Sequence, residues 1–462
     1  MLFRGTFVHF PSLDSLEILR DHVLQVNEEG FIAYIGHAAH EQSLRLLHSQ
    51  KDQLVNLKDG EFLLPAFNDL HLHAPQYLYA GNGLDLPLME WLDKYTYKAE
   101  ERLDADPKLA RAVYKRLTQR LIECGTGAAL LFGTIKAETN IILAQAMREA
   151  GLRAFVGKLS MDISSRKTYV EASSDEALAA ARGFIDRCED INKEGTGPNV
   201  APVITPRFVP TCSPVLLDGL GALAKEREVR VQSHLAEAHD QVEWVRAERG
   251  MEDIEVFDKH GLLTSRTVQA HCTFLDPPDL DLLQARGSAV AHCPLSNAYF
   301  SARPFRLREA LNRGVKIGLG SDVAGGYALD LMHAMRQAVI VSRMREGERI
   351  IQQQDKQAEA QDPNLAINWK EALYLATRGG AIALDLPQGT GSFVVGAPFD
   401  VQRIRLYDGD SGVGVGALDF FDLELDPAAP RFLSEEMIEK WWCLGDARNR
   451  VAMYVQGRSL VA

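Results

Sequence analysis

The sequence predicts an α/β chain: a (β/α)8 TIM-like barrel with a small β-sandwich domain built from both chain ends. Three observations carry this. Eight short apolar runs rich in Val, Ile and Ala alternate with longer segments of helical period through the middle of the chain. Continuous apolar runs of that length belong to strands covered on both faces, as in parallel sheets. Residues 1–61 and those from about Gly391 on lack the alternation and read as short β pieces with Gly and Pro turns. Eight units favour a closed barrel over an open doubly wound sheet, although periodicity alone does not decide between them. The divisions expected are 1–64 and 386–462 for the two parts of the small domain and 65–385 for the barrel.

The eight runs are Phe62 to Asp69, Ala128 to Thr134, Arg153 to Ser160, Val200 to Phe208, Val229 to His234, Thr267 to Cys272, Ser288 to Cys293 and Val315 to Gly320. Helices fall between them. Asp106-Pro107 reads as an N-cap followed by proline at the first helical position, and the helix stops at Gly125. SSDEALAAARGFIDRCEDI is a second helix with a capping signature at its start. Pro87 to Arg102 is an aromatic, partly helical insertion after the first barrel strand; Trp91, Tyr95 and Tyr97 either cover a pocket or pack as ordinary helix residues. Glu346 to Pro363 is polar and weakly patterned, a solvated helix end or a loop.

Composition excludes several classes. Lys plus Arg is 50 against 63 for Asp plus Glu, a net charge of -13, which argues against nucleic acid or an anionic membrane as partner. No run of apolar residues reaches the length of a membrane span. The N-terminal stretch lacks the basic-then-apolar shape of a secretion signal. Six cysteines without a CxxC pair are too sparse for a disulfide framework, so a reducing, cytoplasmic location is expected.

In a barrel, functional side chains gather at the C-terminal ends of the strands. The eight runs are followed by His71-Leu72-His73, Arg207-Phe208, His234 with Glu237, His271, His292 and Asp322. Thirteen histidines are present, and five fall on this one ring. His-x-His on a strand turns both imidazoles to one face, so they can share a cation. With His234 and Asp322 they make three nitrogens and one oxygen, a zinc set with space for water. A single strand-end histidine is more often a satisfied core group than a ligand, and it is the combination that chance does not readily give; Ser321-Asp322 also reads as a plain N-cap. Glu237 is placed to move a proton beside a metal-activated water, or is a surface acid opening a helix. His271 is placed to hold the water or substrate, Asp322 to accept a proton as well as bind metal, and His292 to fix a loop. Lys158 would bridge two metals if carbamylated, but Arg207 after the fourth run favours one metal, leaving Lys158 as a buried lysine. His239 reads as a solvated helix residue.

The stretch PAFNDLHLHAPQYLYAGNGLDLPLMEWLDKYTYKAEERL resembles the start of the barrel in guanine deaminases of the amidohydrolase superfamily. So do TPRFVPTCS, QSHLAEAHDQVEWV, AHCTFLD, AHCPLSNAYF and KIGLGSDVAGG, in the family's order. HAPQY, DLPLMEWL and TPRF are the more specific segments, because they shape a purine pocket. The resemblance implies one Zn²⁺ per subunit on His71, His73, His234 and Asp322. It implies Gln76 on the guanine edge, Arg207 as donor to the purine carbonyl with Phe208 packed beside it, Glu237 as proton shuttle and His271 at the water. His73, His234, Glu237, His271 and Asp322 would thereby also contact substrate. It further implies a homodimer.

The chemistry agrees. C2 of guanine is a weak electrophile, so hydrolysis to xanthine and ammonia needs an activated water. Arginine donates and cannot accept, which would favour an oxo purine over adenine. The alternatives are a sister enzyme for another aminated heterocycle (8-oxoguanine, a pterin or a triazine) and a non-catalytic amidohydrolase-like scaffold. The presence of every ligand type argues against the scaffold. The zinc signature of cytidine deaminases is missing from the sequence.

Overall fold

The N-terminal residues form β1 (Leu2–His9), β2 (Glu17–Val26), β3 (Ile32–His37), β4 (Leu54–Asn56) and β5 (Glu61–Pro65). The computed structural model describes residues 1–193, 200–356, 364–426, 428 and 431–460. The barrel strands follow as β6 (Phe67–His73), β7 (Thr126–Phe132), β8 (Arg153–Ser160), β9 (Val200–Pro206), β10 (Arg230–Leu235), β11 (Thr267–His271), β12 (Ala289–His292) and β13 (Lys316–Leu319). The last three strands, β14 (Val401–Arg405), β15 (Arg450–Val455) and β16 (Arg458–Leu460), return to the first sheet. That sheet runs β16-β15-β14-β5-β1-β2-β3, with β4 on β1, so both chain ends build it.

The two ends are tied by sheet register and by charge. β14 pairs antiparallel with β5, placing Arg405 opposite Glu61. The buried Glu61 carboxylate accepts from Arg403 Nε at 3.0 Å and Arg405 Nε at 2.9 Å. Arg153 on β8 reaches Asp400 at 2.6 Å, joining barrel to sheet.

The run expected from Phe62 to Asp69 as one barrel strand is two strands. Glu61–Pro65 belongs to the small sheet and Phe67–His73 to the barrel, with Ala66 between them donating to Asp400 O at 3.0 Å. Both are covered on both faces, so hydrophobicity does not mark where the chain changes sheets.

The barrel strands lie in sequence order from β6 to β13, all neighbours parallel. Inside, Leu70, Ala128, Val203, Val268, Ala270, Ala289 and Ala291 fill the core. Closure occurs just past β13. Asp322 N–H donates to His71 O at 2.8 Å, and His73 N–H donates to Val323 O at 2.9 Å. Gly320 permits this approach: a Cβ there would lie 2.8 Å from both His71 Cβ and Cys293 Sγ.

The helices begin where their caps dictate. The Asp106 carboxylate accepts from Lys108 N and Leu109 N at 3.0 and 3.1 Å, starting Pro107–Glu123, and Gly125 ends it at φ 76°. Glu176 N donates to Ser173 Oγ at 3.2 Å, opening Ser174–Lys193. The polar segment from Glu346 continues the helix Leu331–Lys356; residues 357–363 lie outside the described residues. No helix among the described residues is long and apolar enough to cross a membrane.

Candidate active site

Six of the ring positions named from sequence meet at the C-terminal mouth of the barrel. His71 and His73 end β6, His234 lies in β10 and His271 ends β11; Glu237 follows β10, and Asp322 follows β13 by three residues. All six are buried. The ligand atoms of His71, His73 and His234 lie within 4.8 Å of one another. His73 Nε2 is 3.0 Å from His234 Nε2, His71 Nε2 is 3.1 Å from Asp322 Oδ1, and His73 Nε2 is 3.6 Å from the same oxygen. A tetrahedral ion with arms of 2.0–2.1 Å separates its ligand atoms by roughly 3.3 Å. His71 Nε2 has no hydrogen-bond partner despite its proximity to Asp322, as expected where two lone pairs converge on a common point.

Local bonds fix which nitrogen faces that point. His234 Nδ1 donates to Arg207 O at 2.6 Å, leaving its Nε2 lone pair free. His271 Nδ1 donates to Asn297 Oδ1 at 2.9 Å, and its Nε2, without a hydrogen-bond partner, lies 3.7 Å from Glu237 Oε1 and 3.8 Å from Asp322 Oδ2. Burial, then neighbouring imidazoles, hold His71, His73 and His234 well below the ordinary histidine range, so they are neutral. Three neutral imidazoles and one carboxylate fit zinc. Cys293 also borders the cluster, but burial pushes its thiol far up and it donates to Ala291 O at 3.4 Å.

The backbone is strained where it delivers these groups. Ala236 (φ 47°), His271 (φ 70°), Cys272 (φ 56°) and Asp322 (φ 49°) all sit in the left-handed region. Such conformations cost about 1–3 kcal/mol each and persist where the surroundings over-determine them.

Beside the cluster lies a narrow cleft. His73, His234, Glu237 and Asp322 line it together with Gln76, Arg207 and Phe208 and the apolar Leu88, Trp91, Leu92 and Phe300. Gln76, on the turn Ala74–Tyr79 after β6, accepts from Ala324 N at 3.2 Å. Glu237 is no helix-opening surface acid: the helix starts at His239, and the Glu237 side chain is buried in the cleft. Burial, then the charge of Asp322, pushes its carboxyl well above the usual range. No helix starts at Asp322, which removes the capping alternative.

Other expectations divide. Trp91 lines the cleft, Tyr97 is buried 5.1 Å beneath the Arg207 guanidinium, and Tyr95 stacks on Tyr79 outside the lining. Lys158 is buried in an ion pair with Glu171. His292 packs on Phe305 and lies in none of the metal-competent groups among the described residues. The His239 side chain is 77% exposed.

Three participants carried no assignment from sequence. Glu100 is fully buried and accepts from Arg207 Nη1 at 2.7 Å. Asp69 accepts from His71 N at 3.2 Å and Ser321 N at 3.0 Å, clamping the closing segments. Asn297 orients His271. All three stand within stretches quoted above, Asp69 in NDLHLH, Asn297 in HCPLSN and Glu100 in KAEERL, but the pattern of residues gave none of them a role.

Comparison with known proteins agrees with this geometry. The Amidohydrolase family model matches residues 62–445. Guanine deaminase of Mus musculus is 36% identical over 464 residues, covering 100% of this chain and 96% of that protein. The Homo sapiens guanine deaminase is 36% identical over 463 residues, with the same coverage of 100% and 96%. The crystal structure of guanine deaminase from C. acetobutylicum with bound guanine superposes with a TM-score of 0.84 at 29% identity, covering 100% of this chain and 99% of that one. With its ligand-type residues at the mouth of an eight-stranded barrel and guanine deaminases 36% identical to it over its whole length, this chain belongs to the amidohydrolase family, on the guanine deaminase branch.

Proposed function

We infer that this protein hydrolyses guanine to xanthine and ammonia, with one zinc ion per subunit held by His71, His73, His234 and Asp322. The observation that carries it is a single buried cleft holding a zinc-type donor set, a carboxylic acid and an arginine together. Zinc there supplies a Lewis acid that brings the pKa of water toward ~7. Lys158, committed to Glu171, is no bridging ligand, which supports one ion rather than two.

The chain's own groups do the rest. Arg207 donates to the ring carbonyl oxygen, Gln76 pairs with the ring edge, and Phe208 packs beside the ring. Gln76 Oε1 is held by Ala324 N, so its amide orientation is set before substrate arrives. His271, with its proton on Nδ1, turns the Nε2 lone pair to the nucleophilic water. Glu237 takes a proton from the water and passes it to a ring nitrogen as the oxygen–C2 bond forms. Its raised carboxyl suits this exchange. Asp322 or Glu237 then takes the remaining proton from the new C2 hydroxyl and delivers it to the amino nitrogen as the C2–amino bond breaks, so that the carbonyl forms and ammonia leaves.

The same reading makes the protein a cytoplasmic homodimer. All six cysteines are free thiols, in keeping with a reducing compartment. Ile340, Met344 and Ile351, exposed along one helix, give a subunit contact apolar surface. The test is metal analysis together with ammonia release from guanine, 8-oxoguanine and melamine. Zinc near one equivalent with turnover favouring guanine is expected; zinc-loaded protein inert on guanine refutes the reading.

A further inference from the structure

Arg207 is both a cleft residue and half of a buried ion pair, and the two facts bear on one another. Its Nη1 donates to Glu100 Oε2 at 2.7 Å, and both side chains are almost wholly removed from solvent, at 2% and 0% exposure. The other Glu100 oxygen accepts from Gln76 Nε2 at 3.5 Å. One carboxylate therefore touches both side chains that would read the ring. Tyr97 floors the guanidinium. Glu100 lies on the helix Tyr97–Ala105, directly after the segment whose Leu88, Trp91 and Leu92 wall the cleft.

An unpaired guanidinium in so dry a place would attract anions strongly. Paired with Glu100, it offers N–H donors without a net positive charge. We propose that Glu100 is a positioning and specificity-determining residue that neutralises and aims Arg207, so that the cleft favours a neutral oxo-heterocycle over an anionic one. The proposal rests on the reading that Arg207 faces the ring carbonyl. Its consequence reaches the product. Xanthine is a stronger acid than guanine, and Glu100 disfavours the xanthine anion, which eases its release.

The experiment uses the zinc-loaded protein at slightly alkaline pH, where xanthine is mostly anionic and hypoxanthine mostly neutral. Inhibition constants for the two are compared in the wild type, Glu100→Gln and Glu100→Asp. Glu100→Gln is expected to move the ratio about tenfold toward xanthine, the scale of one hydrogen bond to a charged group. KM for guanine should rise more than kcat falls, because ring placement is lost before chemistry. Glu100→Asp keeps the charge and should hold the ratio near the wild-type value while KM rises. A ratio unmoved in Glu100→Gln overturns the proposal. Should that variant fail to fold, xanthine binding more tightly than hypoxanthine in the wild type overturns it instead. Wild-type protein that releases no ammonia from guanine refutes the underlying reading; turnover with an unmoved ratio refutes only the role of Glu100.

Discussion

Gly320→Ala adds one methyl group where β13 runs into Asp322, and the structure sets its cost. The new Cβ would lie 2.8 Å from His71 Cβ and from Cys293 Sγ, and 3.2 Å from His71 O. Carbon atoms rest at about 3.5–4.0 Å, so His71 or the 320–322 segment must yield by roughly 0.7 Å or more. His71 Cβ is anchored to the backbone and cannot swing away. Overpacking of this kind costs about 1–3 kcal/mol, or a few degrees in Tm for a chain of this size. A displacement approaching 1 Å in a reacting constellation costs on the order of a hundredfold in rate. Gly318→Ala is the control: its Cβ would meet Leu70 Cδ2 at 2.5 Å and Gly380 Cα at 2.9 Å, below the site. Both variants should melt earlier by differential scanning fluorimetry. Only Gly320→Ala should lose zinc, by elemental analysis, and guanine turnover. Equal zinc retention in the two variants would refute the reasoning.

Glu237→Gln should keep zinc at the wild-type level and lower kcat by about 10²–10⁴, the range of a general acid–base group; full activity in the ammonia assay would remove Glu237 from the reaction. Lys158→Met strands Glu171 in the interior and should destabilise by about 3–5 kcal/mol. Zinc stoichiometry and activity per folded molecule should persist, and Lys158→Met/Glu171→Leu should recover the melting temperature; a change in zinc content would make Lys158 a ligand. Burial raises Asp253 from 3.8 to about 7, against hydrogen bonds from Ala236 N and Gln241. A raised carboxyl favours the fold fully below pH 3.8, and that contribution is lost as pH rises to about 7, by up to about 4 kcal/mol. Asp253→Asn should therefore gain stability over the wild type across that window, read as a growing Tm difference; a flat difference would mean Asp253 titrates normally.

The ring of His71, His73, His234, His271 and Asp322 was legible because strand ends in a barrel converge whatever the intervening helices do. The same rule put Arg207 and Phe208 at a strand end, and both line the cleft, where Arg207 is also half of an ion pair with Glu100. Glu100 stood within a quoted stretch but its role was hidden: it lies 24 residues from Gln76 and 107 from Arg207, among lysine and arginine, where an acid reads as solvated helix surface. The sheet change between Pro65 and Phe67 was equally hidden, since backbone pairing, not hydrophobicity, marks it. Trp91 and Tyr97 show the same limit: the insertion's aromatics were evident, but which faced the cleft depends on how its helices turn.

The barrel's final stitch lies within its catalytic mouth. Asp322 N–H to His71 O and His73 N–H to Val323 O join residues about 250 positions apart in sequence. A ribosome-borne chain displays its first two imidazoles long before the last acid emerges. The four donors therefore stand together only once the first and last staves of the cylinder have met.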